Sequence, residues 1–445
     1  MTRQIPPQRT FLFLQGPHGP FFQMLGRALC DAGNRVWRVG FNAGDRAFWP
    51  DADSYVPYSG RLTDWSKTID RLLRDLSITD IALYGDTRPI HAEAIAAARR
   101  HGIRIHVFEE GYMRPYWVTY ERDGANGHSR LMNMSVPDMK TALARSGMDT
   151  PMPPAHWGDM RQHMFYGALY HWFVMFRNHR YRNFQPHRAL NVRQEFRLHL
   201  RRLLLLPLHA AERRIATTRI RRGSFPYHLV LLQLEHDSSF QAHSPFADMP
   251  AFLNEIVTGF SRGAPRHHHL VFKAHPLEDD RAPLRRTLRQ LARAHGLQGR
   301  VHFVRGGKLA PLLDGARSAV TVNSTAGQQA LWRGLPLKVF GQAVYAKPEL
   351  VSRQALPEFF ASPKRPDMDA YRTFRQFLLQ TSQVPGGYYS LGGRRQLLRQ
   401  VLDLMLAEQG PYAAMRPQAG TPEHPLRLVR QANRRESLAF HENTG

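Results

Sequence analysis

Two adjacent carboxylates, Glu109 and Glu110, sit in the stretch 107–121, VFEEGYMRPYWVTYE, with a glycine, an arginine and several aromatics close by. Acids beside a cation are groups for nucleophilic or acid–base work. The same residues also fit solvated loop acids with Arg114 as their counter-ion. Residues 103–108 read as a buried strand, and Gly111 lets the chain turn just past its carboxyl end. In open α/β sheets that edge is where ligands bind.

Two more turns precede this one. Gln15-Gly16-Pro17-His18-Gly19-Pro20 leads from FLFLQG into a helix, so its backbone amides can face an anion or a sugar. It has neither the spacing of a dinucleotide fingerprint nor the lysine of a phosphate loop. Gly85-Asp86-Thr87-Arg88 closes the strand that begins at Ile81. These turns are expected to share one sheet edge, with His18, Gly19, Asp86 and Arg88 as candidate acceptor-side residues. His18 alone also fits an ordinary structural histidine.

Three strand ends in the second half are polar: Gln233 to Ser239, with Asp237 and Ser238; Lys273, His275 and Pro276; and Asn323, Ser324 and Thr325. A helix starting at Ser324-Thr325 would offer free N–H groups, two hydroxyls and a positive dipole end to a phosphate. Helix capping accounts for the same residues. Lys273 and His275 add donors, so a nucleotide phosphate is a consistent occupant. The run His267-His268-His269 does not read as a metal site, because neighbouring strand residues point to opposite faces and no nearby acid or cysteine completes a shell. Asp279-Asp280 reads as a helix start. Metal-independent chemistry is expected.

Positioning these residues requires parallel sheets. From Phe11 short apolar runs alternate with amphipathic segments up to about Asn133, and the rhythm resumes at Tyr227. That is the βαβ pattern. It predicts an α/β protein of two Rossmann-like domains facing a central cleft, with a helical insert or linker and a helical carboxyl-terminal segment. The expected boundaries are 1–150, a basic helical region 151–225, 226–345, helices 346–412 and a poorly ordered tail 413–445.

Length and composition agree. The 445 residues hold 61 Lys plus Arg against 36 Asp plus Glu, a formal charge of +25, which asks for an anionic partner. Arg177, Arg180, Arg182, Arg188, Arg193, Arg197, Arg201, Arg202, Arg213, Arg214, Arg219, Arg221 and Arg222 make the middle the most basic region. It reads either as a solvated interdomain face or as a surface on anionic lipid, with Trp172, Phe173 and Phe176 at the boundary. One cysteine, Cys30, excludes an intrachain disulfide framework. Neither a secretory signal nor a membrane span is read.

EEGYMRPYWVTYE, with QLEHDSSF, FKAHP, NSTAGQQALWRG and GLPLKVFGQAVY in that order, resembles the capsule polysaccharide biosynthesis family of Gram-negative bacteria, in particular the KpsS (LipB) branch of retaining β-Kdo glycosyltransferases. The likeness runs from about Phe11 to Tyr345. It implies a GT-B-like, CMP-Kdo-dependent enzyme, with no cofactor beyond the donor CMP-β-Kdo. Such an enzyme places Kdo on a (lyso)phosphatidylglycerol acceptor, starting the poly-Kdo linker of the capsule. The implied location is cytoplasmic, peripheral on the inner face of the cytoplasmic membrane, with other capsule synthesis or export proteins as partners and no nucleic acid.

Carried onto this chain, the resemblance assigns His275-Pro276 and Ser324-Thr325 to the CMP moiety and makes Glu109-Glu110-Gly111 the acidic motif. Lys273, Asn323, Gln233, Asp237 and Ser238 join the donor-binding candidates from the polar strand ends. Departure of CMP from a 2-keto sugar acid leaves an oxocarbenium-like centre, so Glu110 is expected as nucleophile or stabiliser, Glu109 as orienter or base, and Arg114 as partner of the Kdo carboxylate. Related Kdo transferases often carry aspartate where Glu110 stands, so which acid reacts stays open. The alternatives are a transferase that extends an existing Kdo linker or uses another nucleotide sugar, and a non-catalytic membrane-surface scaffold of capsule export.

Overall fold

The computed structural model describes residues 8–115, 117–146, 160–183, 205–276, 278 and 282–412. Its elements run β1 (Thr10–Phe13), α1 (Phe21–Asp31), β2 (Arg35–Gly40), α2 (Ala43–Ala47), β3 (Tyr55–Pro57), α3 (Leu62–Asp75), β4 (Asp80–Tyr84), α4 (Pro89–Arg100), β5 (Arg104–Glu110), β6 (Trp117–Arg122), α5 (Val136–Ser146) and α6 (Met160–Arg177). They continue α7 (Leu206–Arg222), β7 (Tyr227–Leu231), α8 (Ser238–His243), α9 (Met249–Gly263), β8 (His269–Lys273), α10 (Leu284–Ala294), β9 (Val301–Val304), α11 (Ala310–Leu313), β10 (Ser318–Thr321) and α12 (Gly327–Trp332). The last are β11 (Leu337–Val339), α13 (Leu356–Ala361), α14 (Met368–Gln380), β12 (Gln383–Pro385) and α15 (Leu391–Leu406).

The fold is α/β and GT-B-like in having two Rossmann-like units. The first comprises Met1–Arg130, Asp138–His187 and Gln376–Gly445; the second, Leu131–Pro137 and Arg188–Arg375. In the first unit the sheet order is β12-β6-β5-β4-β1-β2-β3, parallel from β5 to β3, with β6 and β12 added antiparallel. Strand alternation gives the sheet two cores. Phe11, Phe13 and Phe108 pack with α1 and α15, while Leu12, Leu83 and Val107 pack with α3 and α4. Each such large apolar side chain stabilises the fold by roughly 1.5–3 kcal/mol on burial. The second unit has a parallel sheet, order β11-β10-β7-β8-β9, with Phe252, Phe260 and Phe272 in its core.

The units divide the chain differently from the boundaries expected above. The residues read as a basic linker are shared: α6 belongs to the first unit and α7 to the second. Tyr170 on α6 explains the first assignment, since its hydroxyl donates to Asp45 at 3.2 Å and accepts from Asn42 at 2.6 Å. Residues 376–412 also belong to the first unit, because β12 pairs with β6 and α15 packs on α1. Arg188, Arg193, Arg197, Arg201, Arg202, Asp279, Asp280 and the tail from residue 413 lie outside the described residues.

Candidate active site

In the first unit, strand register brings the three turns to one edge. Phe13 pairs with Ala82 and Tyr84 with Phe108, so Gln15-Gly16 and Gly85-Asp86 follow the carboxyl ends of β1 and β4, and Glu109-Glu110 are the last two residues of the adjacent β5. Strand order reverses between β1 and β4, which is the ligand-binding point of this sheet type.

The strand runs further than expected, since Glu109 and Glu110 pair with Thr119 and Val118, and the turn of the β5–β6 hairpin begins at Gly111. A Cβ on Gly111 would lie 2.0 Å from the Trp117 carbonyl oxygen, so only glycine allows this closure. Tyr112 locks the turn from below. Its hydroxyl donates to Glu121 Oε1 at 2.6 Å and accepts the Asn126 N–H at 2.7 Å, while Ser129 and Tyr412 donate to Glu121 Oε2. Glu121 is fully buried, and burial pushes its carboxyl up to about 7.

Glu109 and Glu110 leave the strand on opposite faces. Glu109 Oε1 accepts the Glu110 N–H at 3.0 Å, and its Oε2 accepts from Asn126 Nδ2 at 3.4 Å. Glu110 is held differently. Tyr84 and Tyr389 both donate hydroxyl protons to its Oε1, at 3.0 and 3.2 Å, and among the described residues no hydrogen bond reaches Oε2. Tyr388 donates to the Glu109 carbonyl at 2.8 Å. Burial first, and the Glu110 charge second, hold the Tyr84, Tyr388 and Tyr389 hydroxyls well above their ordinary range, so all three remain donors at neutral pH. His163 of α6 stacks on the Tyr389 ring at 4.3 Å, with burial lowering its pKa and Glu110 acting to raise it. Glu110 thus has one carboxylate oxygen fixed by two phenols and a second that accepts no hydrogen bond among the described residues.

The other expected residues of this unit fall around that centre. Arg114 is exposed on the turn, its Nε donating to the Gly111 carbonyl at 3.3 Å. Asp86 is buried; its Oδ2 accepts from the Ala125 N–H at 2.8 Å and pairs with His128 at 3.1 Å. Arg88 donates to Gln15 at 3.4 Å and lies over the Tyr84 ring. His18 stacks on Tyr170 at 4.4 Å, and Gly19, at φ +117°, lies under Tyr166. The α6 helix therefore lies over the His18 turn, so the basic region expected to face lipid packs one side of itself onto this site. Its other side exposes Met164, Phe165, Trp172 and Phe176, while Phe173 is half-buried.

In the second unit Leu231 pairs with both Lys273 and Thr321, which sets Gln233, His275 and Asn323 at equivalent steps past three neighbouring strands. Order reverses between β7 and β10, where Gln233 and Asn323 exchange hydrogen bonds at 2.7 and 3.0 Å. Lys273 is 4% exposed; its Nζ donates to the Ala274 carbonyl at 3.1 Å, and burial followed by the Arg213 charge lowers it to about 8. His275-Pro276 runs beside the turn at Gly306, where an added Cβ would sit 3.5 Å from Pro276 Cα.

The expected helix at Ser324-Thr325 begins later, at Gly327. Ser324 Oγ instead accepts the Ala326 N–H at 3.2 Å, and the Ser324 and Thr325 carbonyls accept from Gly327 and Gln328. A side chain that hydrogen-bonds its own backbone competes with the helix, which explains the delay. Asp237 caps α8 through the Ser239 N–H, with Ser238 as the first helical residue, so this carboxylate is occupied in capping. The histidine run divides as alternation requires: His268 pairs with His228 at 3.0 Å and His269 with His302 at 2.8 Å.

The comparisons with known proteins bear on a chain carrying this geometry. Residues 79–389 match the family described as capsule polysaccharide biosynthesis protein. The Escherichia coli capsule polysaccharide export protein KpsS is 32% identical over 387 residues, 86% of this chain and 97% of that protein. The chain belongs to the capsule polysaccharide biosynthesis protein family. Another member, the capsule polysaccharide modification protein LipB of Neisseria meningitidis serogroup B, is 31% identical over 85% of this chain and 91% of its own. Among solved structures, the Thermosulfurimonas dismutans KpsC beta Kdo 2,7 transferase is similar over 89% of this chain and 100% of its own, at TM-score 0.41 and 11% identity. The family match begins at β4 and ends on Tyr389. It takes in Tyr84, the two glutamates and the tyrosines that hold Glu110, and leaves out Gln15 and His18.

Tyr84, Tyr388, Tyr389, His163, Gln15 and Asn126 were not among the residues expected from sequence. Tyr84 and Gln15 had a signal, since each ends an apolar strand just before a glycine turn. Tyr389 had none: it stands 279 residues from its partner in a segment without periodicity.

Proposed function

We propose that this family member is a retaining β-Kdo glycosyltransferase, moving Kdo from CMP-β-Kdo to a (lyso)phosphatidylglycerol acceptor and so starting the poly-Kdo linker of a capsular polysaccharide. The observation that carries the reading is Glu110, held through Oε1 by Tyr84 and Tyr389 with Oε2 open, on the ligand-binding edge of the first sheet. An oriented carboxylate of this kind suits a sugar centre that becomes oxocarbenium-like as its leaving group departs.

In the first step Oε2 bonds to the anomeric carbon while the bond to the CMP oxygen breaks, its electron pair leaving with the phosphate. In the second the acceptor hydroxyl attacks that carbon, gives its proton to a base, with Glu109 as the candidate, and releases Glu110. Two inversions give retention. Arg114 pairs with the sugar carboxylate. Lys273 and His275, with the Ser324-Thr325 hydroxyls, balance the phosphate, and Gln233, Asn323 and Pro276 frame the nucleotide. His18, Gly19, Asp86 and Arg88 lie on the acceptor side. Among the described residues no helix is long and apolar enough to cross a membrane. The exposed face of α6 supplies aromatics for a peripheral site on the inner leaflet.

The test is a product assay with CMP-Kdo generated in situ and a fluorescent lysophosphatidylglycerol, with and without EDTA. A product heavier by one β-linked Kdo, formed equally with EDTA, is the expected result. Transfer only to a Kdo-primed lipid would make the protein an extending enzyme, and transfer to neither would overturn the reading.

A further inference from the structure

The second step of a double displacement takes a proton from the acceptor hydroxyl, and neither glutamate has a lone pair to spare for it. Glu110 is the leaving group of that step. Glu109 already accepts at both oxygens, from the Glu110 N–H at 3.0 Å and from Asn126 Nδ2 at 3.4 Å. A general base needs an open lone pair within reach of the proton it takes.

His163 on α6 meets that need. Its ring stacks on the Tyr389 ring at 4.3 Å, with 24° between the planes, and the Tyr389 hydroxyl donates to Glu110 Oε1 at 3.2 Å. The imidazole therefore flanks the phenol that fixes the carboxylate. The ring is half-buried, yet among the described residues neither of its nitrogens makes a hydrogen bond. Polar groups withdrawn from water are normally partnered, so these nitrogens are available to a group that arrives with substrate.

The same face of α6 leads to the acceptor side. His163, Tyr166, Gly167 and Tyr170 recur at the spacing that puts residues on one side of a helix, over a rise of about 10 Å. Tyr166 lies over Gly19, and Tyr170 stacks on His18 at 4.4 Å. One helix face thus runs from the phenol that holds Glu110 to the His18 turn, and His163 stands at its Glu110 end.

We infer that His163 is the base of the second step: an imidazole nitrogen takes the acceptor hydroxyl proton as that oxygen bonds to the anomeric carbon, and the bond to Glu110 Oε2 breaks with its electron pair returning to the carboxylate. The inference rests on the double displacement proposed above. The surrounding charges fit each stage. Burial lowers the His163 pKa below the ordinary 6.5, with the Glu110 charge acting to raise it and that of Arg114 to lower it. While Glu110 is esterified its charge is absent, so the imidazole stays neutral and able to accept. Once released, the carboxylate stabilises the imidazolium, which passes its proton to water.

The test gives CMP-Kdo, generated in situ, and a fluorescent lysophosphatidylglycerol to the full-length native protein, His163→Phe and Glu109→Gln. Phenylalanine keeps the stack on Tyr389 and removes the nitrogens; His163→Gln replaces it if its thermal unfolding is not native-like. The His163 variant is expected to transfer at least about a hundredfold more slowly and to accumulate one Kdo on the peptide bearing Glu110, read by mass spectrometry, because the first step needs no base. Native-rate transfer by His163→Phe would show that the ring acts by stacking alone. Slow transfer without the adduct would make His163 a positioning residue, and the adduct in Glu109→Gln with native-rate transfer by the His163 variant would make Glu109 the base. Each of these overturns the inference while the native protein still transfers Kdo; a native protein that transfers nothing overturns the underlying reading with it.

Discussion

Tyr389 and Glu110 stand 279 residues apart in the chain, and the phenol of the first donates to Oε1 of the second at 3.2 Å. The contact exists because β12 and α15 return to the first sheet after the chain has built the second unit. Tyr84 completes the grip at 3.0 Å. A charged hydrogen bond of this kind contributes roughly 1.5–3 kcal/mol. Tyr389→Phe is therefore expected to lower kcat by about tenfold to a hundredfold with little change in KM for donor, as steady-state transfer rates will show. Adding Tyr84→Phe should cost less than the product of the two single effects, because both phenols restrain the same oxygen.

Glu121 gives the fold a pH dependence that can be isolated. Its carboxyl is raised from 4.5 to about 7, so the folded protein holds a proton that the unfolded chain has released. Stabilisation linked to this group is full below about pH 4.5, falls as pH rises toward 7, and is lost above it. The difference is about 3 kcal/mol. Denaturant unfolding at pH 5 and pH 8 should show a loss in the native protein that is smaller by that order in Glu121→Gln.

For Lys273 the sign is opposite in meaning. Burial lowers its pKa to about 8, so it is a cation at pH 7 and neutral at pH 9. If it faces the donor phosphate, CMP should bind about tenfold more weakly at pH 9 than at pH 7, one charge-assisted bond being lost. Lys273→Met should bind weakly at both values, with the pH dependence gone. Calorimetric titration of CMP makes the comparison.

Much of this was legible in the sequence, and the failures have physical causes. The strands IALYG and IRIHVF and the turns after them read correctly because a parallel strand buried on both faces is a short apolar run that a glycine ends. Ser324-Thr325 misled because a hydroxyl that caps a helix and one that folds back on its own turn look alike before coordinates exist. The helices of residues 160–222 were read by their charge, and charge does not reveal that His163 and Tyr170 turn inward while Trp172 and Phe176 turn out. Pairing of β12 with β6 is a non-local fact with no periodic trace.

The outward face of α6 carries its own prediction. Phe165, Trp172 and Phe176 are 61%, 44% and 61% exposed and recur on one side of the helix. Trp172→Ser with Phe176→Ser should reduce sedimentation with phosphatidylglycerol vesicles by about tenfold while leaving thermal unfolding unchanged, since interfacial anchoring scales with buried apolar area. Equal sedimentation would remove this face from the membrane account.

The most direct measurement compares single-turnover transfer by Glu110→Gln and Glu109→Gln, each checked for folding by circular dichroism. The carboxylate with its open oxygen is the reacting group in this account, so Glu110→Gln should fall by about a thousandfold or more. Glu109→Gln, which loses an orienting acid and a candidate base, should fall by about tenfold to a hundredfold. Native-like transfer by a folded Glu110→Gln, or the reverse ranking of the two variants, would contradict the account.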